Sequence, residues 1–190
     1  MKTECKIVII GGSAGSFTVV RKIISSLPGN YGIPVVLCLH RLRDVRHGFV
    51  ESLRSSSGPQ VIEPLDKEAI LPGNIYLCPS NYHLYIEMEG TFALSVDEAE
   101  NYSRPSINVT FSSAANVFGK SMVGILLSGA NSDGAGGICY SGRCGAYTIV
   151  QDPDEALFDI MPGKALALCK PDEVLDTDNI ITYLKRLTGN

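Results

Sequence analysis

The sequence predicts an α/β fold, with a mostly parallel, doubly wound sheet, helices on both faces and an inserted antiparallel β-hairpin or meander. Four short apolar runs, rich in β-branched residues, are the first observation: "CKIVIIG", "PVVLCLH", "MVGILLSG" and "AYTIVQ". Runs of this kind are typical of parallel strands that are buried on both faces. Helix-like segments alternate with these runs, which favours a wound sheet over a barrel or sandwich of antiparallel strands.

The predicted helices follow from apolar periodicity and from end signals. Residues 17 to 27 place apolar side chains on one helical face, and a Pro-Gly pair marks the end of that helix. The segment "RPSINVTFSSAANVFG" predicts a helix with Ser106 near its start, and residues 163 to 169 and 178 to 187 predict two later helices.

The middle of the chain has a different pattern. In "LPGNIYLCPSNYHLYIEMEGTFALS", turn signals at Pro72-Gly73, at residues 79 to 81 and at Glu89-Gly90 separate short strand-like runs. This pattern predicts an antiparallel meander that is inserted into the α/β frame.

Composition limits the class of protein. The 190 residues, 45% of them hydrophobic, are expected to form a single domain over residues 1 to 190. A net charge of -4 provides no basic stripe, so nucleic acid is not an expected partner. No apolar run reaches membrane-spanning length and the N-terminus does not resemble a signal peptide, so a cytoplasmic protein without membrane insertion is expected.

The cysteines are expected to be reduced core thiols, in preference to a disulfide framework or a metal cage. None has Cys-x-x-Cys spacing, and most lie in or beside apolar runs. They are Cys5, Cys38, Cys78, Cys139, Cys144 and Cys169.

The segment "GGSAG" follows the first apolar run and precedes a helix. It does not fit the dinucleotide fingerprint, because Ser13 and Ser16 stand where the later glycines belong, and it lacks the lysine of a P-loop. It fits Gly-x-Ser-x-Gly, the nucleophile elbow, which predicts Ser13 as a nucleophile. A tight turn with an incidental serine is the alternative.

A histidine stands at the end of the second predicted strand. His40 is the first polar residue after "VVLCL", so in a parallel sheet it would lie at the same edge as Ser13 and could act as its base. The alternative is a strand-end histidine with a structural role. His47, at a predicted helix start, and His83, in the meander, are weaker candidates.

A carboxylate follows the third apolar run, in "VGILLSGANSDGAGG". Asp133 could orient the imidazole of His40 and stabilise its charged form. The alternative is that Asp133 caps the next helix. Three complementary groups beyond three predicted parallel strands favour a catalytic site.

The chain order Ser, His, Asp differs from that of α/β-hydrolases. The sequence instead resembles the CheB family, the protein-glutamate methylesterase domain of bacterial chemotaxis, from about residue 6 to 175. The blocks that carry the resemblance are "IGGSAG", "LCLHR" with "GFVESL", "ILPGNIYLCPSNYHLYI", "RPSINVTFSSAA", "VGILLSGANSDGAGG" and "GAYTIVQDPDEALFDIMPGKAL".

The resemblance implies a hydrolase that removes methyl groups from glutamate methyl esters of chemoreceptors, and one that could also deamidate glutamines. It maps the triad onto Ser13, His40 and Asp133, and the oxyanion donors onto the backbone N–H groups of Ala14 and Ala130. No metal or organic cofactor is implied. The chain departs from the family pattern at Ser16, where the family has glycine, at Leu39, and in the loop of Asp133.

The expected partner is a helical segment of a methyl-accepting receptor. The residues expected to line the substrate cleft follow the three strands: Ser16, Phe17, Arg41, Arg43, Asn131 and Ser132. The two arginines are expected to meet an acidic receptor surface, or else to be ordinary solvated side chains. The family's receiver domain is absent from these residues, so a separate response-regulator domain is a second candidate partner. A non-catalytic receptor-binding scaffold is the alternative function.

Overall fold

The computed structural model describes residues 4–41, 48–53, 58–100 and 102–188. The β-strands are β1 Ile7–Gly12, β2 Val35–Leu39, β3 Gln60–Ile62, β4 Asn74–Leu77, β5 His83–Ile86, β6 Phe92–Ser95, β7 Met122–Leu126, β8 Tyr147–Gln151 and β9 Glu173–Leu175. The α-helices are α1 Ser16–Ser26, α2 Phe49–Leu53, α3 Ile107–Phe118, α4 Ala135–Arg143, α5 Ile160–Leu168 and α6 Thr177–Leu187. A 3₁₀ turn, Gly119–Ser121, leads into β7.

Seven parallel strands form the main sheet, in the order β3-β4-β2-β1-β7-β8-β9. All residues of β1 are buried, and it pairs with β2 through Val8↔Val35 and with β7 through Ile7↔Met122. The chain builds the sheet outward from β1 in both directions, so the order reverses between β1 and β7. Ligand sites in such sheets lie at the carboxyl ends of the strands beside this reversal.

The side chains of β1 alternate between two hydrophobic cores, one on each face of the sheet. Ile7 and Ile9 pack into the core under α3, α4 and α5, while Val8 and Ile10 pack into the core under α1 and α6. The predicted doubly wound α/β fold is confirmed.

The predicted meander is wrong in its first strand. β4 pairs in parallel with β2, through Ile75↔Val35, and belongs to the main sheet. Only β5 and β6 form an antiparallel hairpin. The last three residues of β4 are buried. This burial is explained by its position inside the main sheet, where a strand is covered on both faces.

The predicted helices are confirmed, with small shifts at their ends. Ser106 is the N-cap of α3, and its hydroxyl accepts a hydrogen bond from the Val109 N–H. α5 begins three residues before its predicted start and contains Pro162 in its first turn, where proline displaces no intrahelical hydrogen bond. No helix in the described ranges is long and apolar enough to cross a membrane.

The prediction that all cysteines are reduced is wrong for one pair. Cys139 in α4 and Cys169 after α5 form a disulfide, with Cα atoms 5.7 Å apart. α4 packs against α5 and brings together cysteines that are 30 residues apart in the chain. Packing between helices produces this pair, so its spacing in the sequence carries no signal.

Candidate active site

The three residues predicted as a triad meet at the carboxyl ends of adjacent strands. Ser13 directly follows β1, His40 directly follows β2, and Asp133 lies in the loop between β7 and α4. Because β1 lies between β2 and β7, the imidazole and the carboxylate approach each other above the end of the central strand.

His40 contacts both of its predicted partners. Its Nδ1 lies 3.2 Å from Ser13 Oγ, and its Nε2 lies 2.8 Å from Asp133 Oδ2. An ionised carboxylate only accepts hydrogen bonds, so Nε2 carries the proton and the lone pair of Nδ1 faces the serine hydroxyl. The side chain of His40 is 14% exposed and that of Asp133 is fully buried.

The Asp133 carboxylate is also bound at the start of α3. It accepts hydrogen bonds from the Ser106 hydroxyl at 3.0 Å, the Ile107 N–H at 2.7 Å and the Asn108 N–H at 3.2 Å. Burial on its own raises the pKa of this carboxyl group, but the hydrogen bonds from His40 and from the Ile107 N–H outweigh it. The pKa is therefore held below its ordinary value of 3.8.

The suggested alternative role of Asp133, as the cap of the next helix, is wrong. The N-cap of α4 is Gly134, and no side chain caps that helix. Asp133 instead satisfies N–H groups at the start of α3, a helix that precedes it in the chain.

His83 supports the same helix end without entering the site. It is buried, its Nδ1 accepts a hydrogen bond from the Ser106 N–H at 3.2 Å, and its Nε2 donates to the Glu98 carbonyl at 3.0 Å. This histidine therefore holds Ser106, which in turn binds Asp133. His47 lies outside the described residues.

The turn after Ser13 requires a glycine. Gly15 has a φ of 81°, and a Cβ atom there would lie 2.7 Å from Ser128 Oγ and 2.8 Å from Leu157 Cβ. The turn leaves Ala14 exposed. Ala130, in the loop of Asp133, is also exposed, and within the described ranges neither alanine N–H donates a hydrogen bond.

Ser128 is a connecting residue that the sequence analysis missed. Its carbonyl accepts from the Ser13 N–H at 2.9 Å, and its hydroxyl donates to the Ala14 carbonyl at 2.9 Å. The same hydroxyl accepts from the Phe158 N–H at 2.9 Å. Ser128 thus joins the serine turn to the segment before α5. A serine next to a glycine in a loop gives no sequence signal for this role.

Two of the predicted cleft residues lie elsewhere than expected. Ser16 is only 2% exposed and lies beneath the turn. The Arg41 side chain is 2% exposed and forms an ion pair with Glu63. The reason is packing: Ser16 begins a helix that covers the sheet, and Arg41 lies over the Phe49 ring, 5.3 Å from its centroid.

The other predicted cleft residues divide into three groups. Phe17 is half-buried and its ring packs against Phe49, with centroids 5.2 Å apart. Asn131 is half-buried, with Nδ2 3.5 Å from His40 Nδ1, and Ser132 is exposed. Arg43 lies outside the described residues.

Among the described residues, no group of three or more His, Cys, Asp or Glu side chains is placed so that it could bind a metal ion. A surface cavity of about 490 Å³ lies elsewhere, lined by residues 166 to 174, and includes none of the predicted site residues.

Comparison with known proteins identifies the family. The family model described as CheB methylesterase matches residues 8–184. The chain belongs to the CheB methylesterase family. The resemblance recognised in the sequence is confirmed.

Relatives within the CheB methylesterase family differ in length. A protein of Leptospira interrogans named putative protein-glutamate methylesterase/protein-glutamine glutaminase is 37% identical over 183 residues, which cover 96% of this chain and 95% of the relative. A Nitrosospira multiformis protein with the same name, without "putative", is 34% identical over 184 residues, which cover 97% of this chain and 52% of the relative.

A solved structure of the CheB methylesterase family has the same fold. The crystal structure of the Thermotoga maritima CheB methylesterase catalytic domain superposes with a TM-score of 0.90 and 28% identity, covering 97% of this chain and all of that domain.

Proposed function

We propose that this chain is a serine hydrolase that removes methyl groups from glutamate methyl esters in helical segments of chemoreceptor proteins. The observation that carries the proposal is the continuous hydrogen-bonded series from Ser13 Oγ through His40 to Asp133. The family and the names of its relatives supply the substrate class. The receptor segments concerned would be cytoplasmic.

The proposed reaction has two stages. Ser13 Oγ attacks the ester carbonyl while His40 Nδ1 takes the hydroxyl proton, and that proton then passes to the leaving methoxide, which departs as methanol. Water, deprotonated by the same nitrogen, then attacks the acyl carbon. The bond to Ser13 Oγ breaks, that oxygen takes the proton back from His40, and the glutamate product leaves and ionises in solution. Asp133 accepts the hydrogen bond from Nε2–H and stabilises the imidazolium that forms in each stage.

The proposed oxyanion donors are the backbone N–H groups of Ala14 and Ala130. Support comes from the exposure of Ala14 in the turn after Ser13 and of Ala130 in the loop of Asp133, and from the absence of a hydrogen bond from either N–H within the described ranges. Main-chain donors need no particular side chain, so alanine suits both positions.

Deamidation of receptor glutamines is included in the proposal as a second reaction of the same site. The relatives are named both methylesterase and glutaminase. The acyl chemistry is the same, with ammonia as the leaving group in place of methanol.

A non-catalytic scaffold is the competing function. A scaffold would require no base within reach of a serine and no buried carboxylate behind that base. The distances of 3.2 Å and 2.8 Å around His40 therefore favour the enzyme.

Methanol release from a methyl-labelled receptor segment tests the proposal. We expect release by the unmodified protein, loss of release in Ser13→Ala, and unchanged release in Ser25→Ala, which alters an exposed serine of α1. Equal release from Ser13→Ala and the unmodified protein would exclude serine catalysis. A folded protein that releases no methanol or ammonia from any receptor segment, and does not react with a fluorophosphonate, would support the scaffold.

A further inference from the structure

Ser16, predicted to contact substrate, instead binds the backbone of the nucleophile. It is the first residue of α1 and is 2% exposed. Its hydroxyl donates a hydrogen bond to the Ser13 carbonyl at 2.7 Å, and its own N–H donates to the same oxygen at 3.0 Å. The hydroxyl and the N–H of Ser16 therefore both donate to the same acceptor, the Ser13 carbonyl oxygen.

The Ser13 carbonyl belongs to the same peptide plane as the Ala14 N–H. In a trans peptide the C=O and N–H bonds point in opposite directions. When Ser16 holds the carbonyl toward the start of α1, the Ala14 N–H must point away from the helix. That N–H is the proposed oxyanion donor next to the nucleophile.

We propose that Ser16 is a positioning residue, whose hydroxyl anchors the Ser13 carbonyl and so holds the Ala14 N–H in the orientation that an oxyanion requires. This inference rests on the proposed function.

The surroundings of Ser16 fit this role. A Cβ atom at Gly12 would lie 2.7 Å from both Cβ and Oγ of Ser16, so the glycine leaves the room that this serine occupies. On the other side of the nucleophile, the Ser13 N–H donates to the Ser128 carbonyl at 2.9 Å. The peptide planes before and after Ser13 are both held, and the Ala14 N–H has no described protein partner.

The test uses Ser16→Ala, with Ser141→Ala as a matched control. Ser141 is also a fully buried helix serine, and its hydroxyl donates to the Gly137 carbonyl at 2.9 Å, away from the site. Removing a direct oxyanion donor lowers turnover roughly 10²- to 10³-fold. Because one of two anchors remains in Ser16→Ala, we expect a smaller loss of kcat/KM, roughly tenfold, on a small neutral methyl ester.

Inhibitor binding separates positioning from general destabilisation. A boronate that forms a tetrahedral adduct on Ser13 should bind Ser16→Ala more weakly by the same factor as the loss of kcat/KM. The matching ether, which has no carbonyl, should bind both proteins equally. The Ser141→Ala control should match the unmodified protein in all three measurements, and a thermal melt verifies that each variant is folded. If Ser16→Ala does not fold, Ser16→Gly removes the same hydroxyl and is measured instead.

Three results would overturn the inference: unchanged kcat/KM in the folded variant, equal losses in Ser16→Ala and Ser141→Ala, or equal weakening of the boronate and the ether. The activity of Ser13→Ala distinguishes failure of this inference from failure of the proposed function. Full activity in Ser13→Ala overturns both, whereas loss in Ser13→Ala together with full activity in Ser16→Ala overturns only the role of Ser16.

Discussion

His40 and Asp133 are 93 residues apart in the chain, and their side chains are joined by a hydrogen bond of 2.8 Å. The sheet order explains the contact. β2 and β7 flank β1 on opposite sides, so the residues beyond their ends meet above Ser13.

Replacing Asp133 by Asn is expected to lower turnover by up to about 10⁴-fold, because the amide removes the charge that stabilises the imidazolium. Both carboxylate oxygens face donors at the start of α3. The NH₂ group of the amide must face at least one of these donors and cannot accept its hydrogen bond. The free energy of unfolding should therefore fall by about 1 to 3 kcal/mol.

Kinetics and urea unfolding of Asp133→Asn measure these two effects, with Asp154→Asn, an exposed carboxylate, as the control. Near-normal turnover in a folded Asp133→Asn variant would remove Asp133 from the proposed triad.

The stabilising effect of the Asp133 carboxylate is expected to depend on pH. Its pKa is lower in the folded protein than the ordinary value of 3.8, so the unfolded chain binds the proton more readily. The stabilisation is complete above the unfolded pKa and is lost as the pH falls through 3.8 and then through the lower folded pKa.

The difference in unfolding free energy between the unmodified protein and Asp133→Asn should therefore shrink from pH 6 to pH 3. Urea titrations at several pH values measure that difference. A gap that grows on acidification would contradict the assigned direction of the shift.

Replacing Arg41 by Ala is expected to destabilise the fold by about 1 to 3 kcal/mol, because two acceptors lose the guanidinium that donates to them and the packing of its buried side chain is lost. Those acceptors are the Glu63 carboxylate and, at 3.0 Å, the Cys78 carbonyl. Hydrolysis of receptor segments and of a small neutral ester should fall in equal proportion, with little effect of salt.

Arg21→Ala, at an exposed position of α1, is the control and should change neither property. A loss confined to receptor segments at low ionic strength would restore the sequence-based expectation that Arg41 meets the substrate's acidic surface. The same salt-dependent expectation for Arg43 stays a prediction.

The Cys139–Cys169 disulfide predicts four reactive thiols in denatured protein without reductant, and all six after reduction. Reduction should lower the free energy of unfolding by about 2 to 4 kcal/mol, since the crosslink restricts the unfolded chain. Thiol titration and urea unfolding with and without dithiothreitol measure both effects.

The variant Cys144→Ala, which removes a free thiol, should retain the response to dithiothreitol. Six reactive thiols in denatured, unreduced protein would show that the crosslink does not form.

Local sequence patterns were sufficient to predict much of the secondary structure. Continuous apolar runs predicted the buried strands at the centre of the sheet, and "GGSAG" between a strand and a helix predicted the turn at Ser13. β3 and β9 were missed, because each has only three residues, too few for a periodic signal. β4 was wrongly assigned to the antiparallel meander, because the sequence of a strand does not specify which neighbouring strand it pairs with.

What the sequence by itself determined is the longer strands and helices and the identity of the polar residues at three strand ends, since backbone preference and apolar periodicity act over a few residues. Only the tertiary structure decided that Asp133 binds the start of α3, that Arg41 and Ser16 face inward, and that Cys139 meets Cys169. These outcomes depend on how helices and strands far apart in the chain pack to fill the core. That packing fixes which way a polar side chain points and which donors surround it.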